Sequence, residues 1–126
     1  NATVKINEWG THMSMLYAHN GHPSHLLGWG GATFDADATL FPLLRTGQVL
    51  SHYSNPALDA LIEEGRSIMD KKKRQKVYTE ASKLIHEEVP WAFCYQQMDI
   101  YGVSERVNWK PRPDEKLIVF NMSFKK

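Results

Sequence analysis

Apolar and polar positions alternate from Thr3 to Trp9, with Val4 and Ile6 on one face and Lys5 and Asn7 on the other. A period of two predicts a strand. The pattern then changes to Met13, Met15, Leu16 and Tyr17, after Thr11, which could cap a short helix that Asn20-Gly21 would stop. His25-Leu26-Leu27-Gly28-Trp29 is a short apolar run between turn residues and predicts a buried strand. Strand, helix and strand in so short a span predict a βαβ unit with a parallel sheet, hence an α/β fold. Gly30-Gly31-Ala32-Thr33-Phe34-Asp35 is then a loop at the carboxyl end of the second strand.

Asp35 or Asp37 could cap a helix through Leu40, Phe41, Leu43 and Leu44, with Pro42 kinking it or ending it early. Arg45 to Tyr53 is polar and reads as a loop. Asn55 is a good N-cap, and Pro56 sits at the first helical position, where its missing N–H costs nothing. Leu58, Leu61, Ile62, Gly65, Ile68 and Met69 then recur on one helical face. Asp70 caps a second amphipathic helix with Val77, Ala81, Leu84 and Ile85 on its apolar side. Val89, standing before Pro90, is pushed out of helical geometry and ends it. Two such helices in tandem pack as a hairpin or against a sheet.

Trp91-Ala92-Phe93-Cys94-Tyr95 and the residues to Val103 read as extended, with Trp91, Phe93 and Tyr95 expected in a core. Pro111 and Pro113 mark a crossing segment between Val107 and Glu115. From Leu117 to Phe124, Ile118, Phe120, Met122 and Phe124 alternate with Val119, Asn121 and Ser123, which predicts a strand with one strongly apolar face.

Composition narrows the function classes. In 126 residues, 42% hydrophobic and 23% charged content argues against disorder. Lys and Arg number 15 against 14 Asp and Glu, so there is no basic field for nucleic acid. No apolar run approaches the ~20 residues of a membrane helix. Cys94 is the only cysteine, which excludes an internal disulfide. The chain opens at Asn1, inside strand-like sequence, and reads as a piece of something longer.

Chemistry has few candidates. His12, His19, His22 and His25 are four of six histidines, and imidazoles ligate zinc, copper or nickel. Asn20, Gly21 and Pro23 break any helix that would fix their spacing, so a solvated polar loop competes with a transition-metal module. Cys94 lies between Phe93 and Tyr95, where a lone cysteine is usually a small core residue. No nucleophile motif, zinc motif or phosphate loop occurs, so neither an enzyme nor a cofactor is expected. Lys71-Lys72-Lys73-Arg74 reads as a solvated first helical turn, with a phosphate or lipid patch as the alternative. Gly28-Trp29-Gly30-Gly31 could bring bare backbone groups to a ligand with Trp29 as a wall, or could be a tight turn with Trp29 in the core.

One resemblance joins these pieces. Tyr53-Ser54-Asn55-Pro56-Ala57-Leu58-Asp59-Ala60-Leu61-Ile62, then Asp70, Lys73-Arg74-Gln75-Lys76-Val77-Tyr78, Glu80-Ala81-Ser82-Lys83-Leu84-Ile85 and Val89-Pro90 resemble the peptide/nickel type (family 5) extracellular solute-binding proteins of ABC importers. Gly28-Trp29-Gly30-Gly31 and Asp35-Ala36-Asp37 fit as well.

The resemblance implies a two-lobed periplasmic-binding-protein fold that closes on its ligand, of which this chain would carry part of the C-terminal lobe (residues 1–105). A hinge crossing and a terminal strand belonging to the other lobe would occupy residues 106–126. It implies capture of a peptide or similar small solute, an ABC permease as partner, and a periplasmic or extracellular address with a lipid anchor as one form. The ligand-binding residues would be Trp29, Gly30, Gly31, Ala32, Phe34 and Asp35. In the peptide-binding relatives an aspartate three residues past the tryptophan pairs with the peptide's amino terminus. Ala32 holds that place here, and Asp35 is the nearest substitute. The apolar stripe of the last strand would be covered by other parts of the longer chain or by self-association.

Overall fold

The structure, a computed structural model, describes residues 1–31 and 33–125. Helices α1 (Trp9–Tyr17), α2 (Asp37–Leu44), α3 (Pro56–Ser67) and α4 (Lys71–Glu88) come first. A minimal antiparallel ribbon of β1 (Val107–Asn108) and β2 (Ser123–Phe124) follows, with a 3₁₀ turn at Val119–Asn121 between the two strands. Among the described residues the fold is thus mixed helix with a small two-stranded antiparallel sheet, and the parallel sheet that the pattern predicts is not present.

The helical hairpin forms where the periodicity places it. Asn55 Oδ1 accepts from the N–H groups of Ala57 (2.9 Å) and Leu58 (3.3 Å), with Pro56 directly after the cap. Asp70 Oδ1 accepts from the N–H of Lys73 at 2.8 Å and opens α4. Each cap satisfies donors that the first helical turn cannot pair, a contribution of about 1 kcal/mol. Leu58, Ile62 and Gly65 of α3 are buried, as are Val77, Ala81 and Ile85 of α4. Leu43 and Leu44 of α2 complete a core with Leu58, Ile62, Ala81 and Ile85. Met69, expected on the stripe, lies past the end of α3 and is exposed.

Gly65 sets how closely the hairpin closes. A Cβ there would stand 2.7 Å from Tyr78 Cζ, inside van der Waals contact, so the bare backbone lets the Tyr78 ring lie against α3. At the far end, Val89 turns left-handed (φ 46°, ψ 54°) while its N–H still donates to the Ile85 carbonyl at 3.0 Å. Pro90 disfavours continued helix, and the β-branched Val89 takes up that conflict.

Two expected helix starts shift. Glu8, not Thr11, caps α1, and its Oε2 accepts from the Thr11 N–H at 3.1 Å. Ala36 is the residue before α2 and makes no side-chain cap bond; Asp35 Oδ1 instead accepts from the Asp37 N–H at 2.9 Å.

Neither predicted strand before α2 forms. Residues 1–8 have no regular structure and leave Val4 and Ile6 exposed. The run from His25 to Trp29 is likewise irregular, with Leu27 packed on the core and Leu26 in solvent. A strand is stable only when neighbours pair with it, and this stretch of chain offers none. The aromatic segment also departs from expectation: Trp91 packs on the core, but Phe93 and Tyr95 are exposed.

The strand expected over Leu117–Phe124 shrinks to Ser123–Phe124, paired as Val107↔Phe124 and Asn108↔Ser123. The 3₁₀ turn breaks its alternation, with Met122 N–H donating to the Val119 carbonyl at 2.9 Å. Ile118 and Met122 are half-buried, Phe124 is exposed, and Phe120 is 100% exposed.

Candidate functional site

The candidate site is the loop from Trp29 to Asp35, and it is fixed from three sides. Pro42, inside α2, has no N–H to give the Ala38 carbonyl one turn earlier. The Trp29 indole Nε1–H donates to that carbonyl at 3.0 Å. One part of the ring is thereby anchored on α2, while 42% of the residue remains exposed. Trp29 is therefore neither buried in the core nor free in solution.

The loop turns where the Phe34 N–H donates to the Gly31 carbonyl at 2.8 Å, and Phe34 takes a left-handed φ of 55°. That turn projects Phe34 into solvent. At Gly30, a Cβ would stand 3.0 Å from Glu115 Oε1, so the Glu115 carboxylate lies against bare backbone there. A Cβ at Gly31 would meet Thr39 Oγ1 at 3.8 Å, an ordinary contact. Ala32 lies outside the described residues.

Asp35 closes the loop. Arg74 of α4 donates to both its oxygens, Nη1 to Oδ2 at 2.6 Å and Nη2 to Oδ1 at 2.8 Å. The guanidinium and the Asp37 N–H hold the Asp35 carboxyl below the usual carboxylate range. Arg74 also donates from Nε to the Gly65 carbonyl (2.8 Å) and from Nη2 to the Tyr78 hydroxyl (3.2 Å). Next to it, Arg66 Nε stands 3.2 Å from Asp37 Oδ1, a charge contact without hydrogen-bond alignment. The Arg66 guanidinium carbon lies 3.5 Å over the Phe41 ring centroid. Both aspartates at the start of α2 are thus tied to arginines, one on α3 and one on α4.

Sequence reasoning singled out Trp29, Gly30, Gly31, Phe34 and Asp35, and the fold presents them along one loop. It missed Arg74, read as part of a solvated cationic turn, and it missed Glu115, read as part of a proline-marked crossing. Neither residue carries a local signal: the ion pair joins positions 39 apart.

Three of the four singled-out histidines do gather, with an unforeseen fourth. The His12 and His25 ring centroids are 5.9 Å apart, those of His25 and His52 5.7 Å, and those of His19 and His52 4.4 Å. Burial, then the neighbouring His52 and His12, push the His25 imidazole below its ordinary pKa. Among the described residues, no group of three or more His, Cys, Asp or Glu is arranged to hold a metal ion. Cys94 is exposed rather than core, and its thiol donates to the Ala92 carbonyl at 3.2 Å. No helix among the described residues is long and apolar enough to cross a membrane.

The site therefore offers aromatic surface, bare backbone and an internally neutralised ion pair. No protein-family model matches the chain, and no solved structure matches it. Curated proteins do. The chain is 31% identical over 114 residues to "Probable di/tripeptide-binding protein 5" of Pseudomonas aeruginosa (strain UCBPP-PA14), covering 80% of this chain and 21% of that protein. "Oligopeptide-binding protein AppA" of Bacillus subtilis (strain 168) is 27% identical over 90% of the chain and 22% of its own length. "Heme-binding protein A" of Haemophilus influenzae is 29% identical over 65% of the chain and 16% of its own length. The chain thus spans between 16% and 22% of the length of these relatives, all of them named as binding proteins. It belongs to the family 5 extracellular solute-binding proteins and matches a fragment of their C-terminal region.

Proposed function

We propose that this chain is part of the substrate-binding component of an ABC importer. It captures a peptide or similar small solute outside the cytoplasmic membrane and hands it to a membrane permease, with no bond made or broken. The observation that carries this reading is the 31% identity to a di/tripeptide-binding protein across 80% of the chain. The protein works in the periplasm or at the cell exterior, with a lipid anchor as one means of retention.

On this reading Trp29 is a stacking wall, Gly30, Gly31 and Ala32 offer backbone groups, and Phe34 adds a second apolar surface. Asp35 stands behind them. With both its oxygens on Arg74, it serves as the brace of the loop rather than as a free counter-charge for a ligand amine. Residues 1–105 form part of the C-terminal lobe, and residues 106–126 cross the hinge and end in a strand of the other lobe. The bare Phe120 and Phe124 are covered by other parts of a longer chain or by a second copy.

Native mass spectrometry of the protein isolated gently from its own cells, at whatever length the cell makes it, tests the reading. A discrete small molecule released on denaturation is the expected result, and its mass names the ligand class. A clean apo mass, with no thermal shift from peptides, sugars or metal chelates, overturns capture as the function.

A further inference from the structure

A proline inside a helix leaves a carbonyl one turn back without its usual donor, and its ring presses that carbonyl outward. In α2 the proline is Pro42 and the carbonyl is that of Ala38. The group that takes this acceptor is the indole N–H of Trp29, from nine positions upstream. Trp29 belongs to no strand or helix itself, since the run from His25 to Gly31 is irregular, and the residue is 42% exposed. Its single side-chain hydrogen bond is therefore a large share of what orients it.

We propose that Pro42 is a positioning residue for the binding loop: by withholding an N–H from the Ala38 carbonyl, it reserves that acceptor for the Trp29 indole and so sets the pose of the ring. An alanine at position 42 would supply the competing donor within the helix. The consequence for ligand contact rests on the reading of Trp29 as a wall of the site; the positioning itself does not.

The test is the ¹H–¹⁵N indole resonance of Trp29 in the ligand-free chain. Four tryptophans are present, and Trp29→Phe identifies the signal by its disappearance. In Pro42→Ala the indole proton is expected to exchange about three- to tenfold faster, the loss of one modest hydrogen bond. Its shift should move toward those of tryptophans open to water. Gly30 and Gly31 amides should loosen in Pro42→Ala and at least as much in Trp29→Phe, and Pro42→Ala should add nothing once Trp29 is replaced, because the hydrogen bond it disturbs is already gone. Pro42→Ala restores a regular helical donor, so the helix is not at risk. An unchanged indole signal in Pro42→Ala, or additive effects in the double variant, overturns the proposal. These readouts need no ligand. A Trp29 signal that stays silent toward trialanine, beside an intact Pro42→Ala shift, counts against the binding reading alone.

Discussion

Arg74 clasps Asp35 through two parallel hydrogen bonds, 2.6 and 2.8 Å long, and so ties the end of the glycine loop to the first turn of α4. The planar guanidinium matches the carboxylate two atoms to two, which a lysine could not do. Two more of its donors reach the Gly65 carbonyl and the Tyr78 hydroxyl. One side chain thereby binds α3, α4 and the candidate site into a single arrangement.

Breaking this clasp should weaken the protein most at neutral pH. Arg74→Met is expected to lower the urea midpoint more than Arg74→Lys does, and Asp35→Asn should add little to Arg74→Met. The carboxyl of Asp35 is held low in the folded chain, so on acidification the unfolded chain takes up that proton first. The pair's contribution is complete above the unfolded carboxylate value of ~3.9 and disappears as pH falls through the lower folded value. Asp35→Asn should therefore flatten the acid limb of a stability–pH curve. An unaltered limb would show that the pair contributes nothing.

Gly65→Ala puts helix propensity and packing in opposition. In an open helix the change would stabilise by about 1 kcal/mol. Here the new methyl would stand 2.7 Å from the Tyr78 ring, and such overpacking costs about 1–3 kcal/mol. A net loss of stability is expected in urea unfolding, partly relieved in Gly65→Ala/Tyr78→Leu. A gain would mean that the ring moves aside freely.

His25, which faces the His12 and His52 rings, sets a second pH dependence. Burial, then the facing His52 and His12, push the His25 imidazole below its ordinary pKa in the folded chain. The unfolded chain binds that proton more readily, so stability should fall as pH drops below ~6.5 toward the lower folded value. His25→Gln should remove part of this slope. Thermal melts at intervals between neutrality and mild acid would measure it, and parallel curves for the two proteins would refute it.

Phe120, fully exposed, should be replaceable without harm to the fold. Phe120→Asp is expected to change stability by no more than about 0.5 kcal/mol, as at other surface sites. If the bare aromatic positions mediate pairing between copies, the same change should lower the sedimentation coefficient at high concentration. Loss of helicity in Phe120→Asp would instead place the side chain in an interior contact.

What the sequence determined by itself is what local chemistry can encode. The α3–α4 hairpin was readable to within a residue or two, because Asn55, Pro56 and Asp70 are capping signals and the stripes of Leu58, Ile62, Val77, Ala81 and Ile85 follow the helical period. The family phrase around Tyr53 to Ile62 was equally local. Tertiary structure decided everything that depends on a partner from elsewhere. Alternation at Val4 and Ile6 and at Ile118 to Phe124 announces strands, yet a strand exists only beside another, and the described residues supply a single short pair. The site divides in the same way. Its loop was visible as a glycine run beside Trp29, but the Arg74 brace on Asp35, the Glu115 carboxylate over Gly30 and the Ala38 acceptor for Trp29 came only from folding, which brought together residues with no shared local pattern.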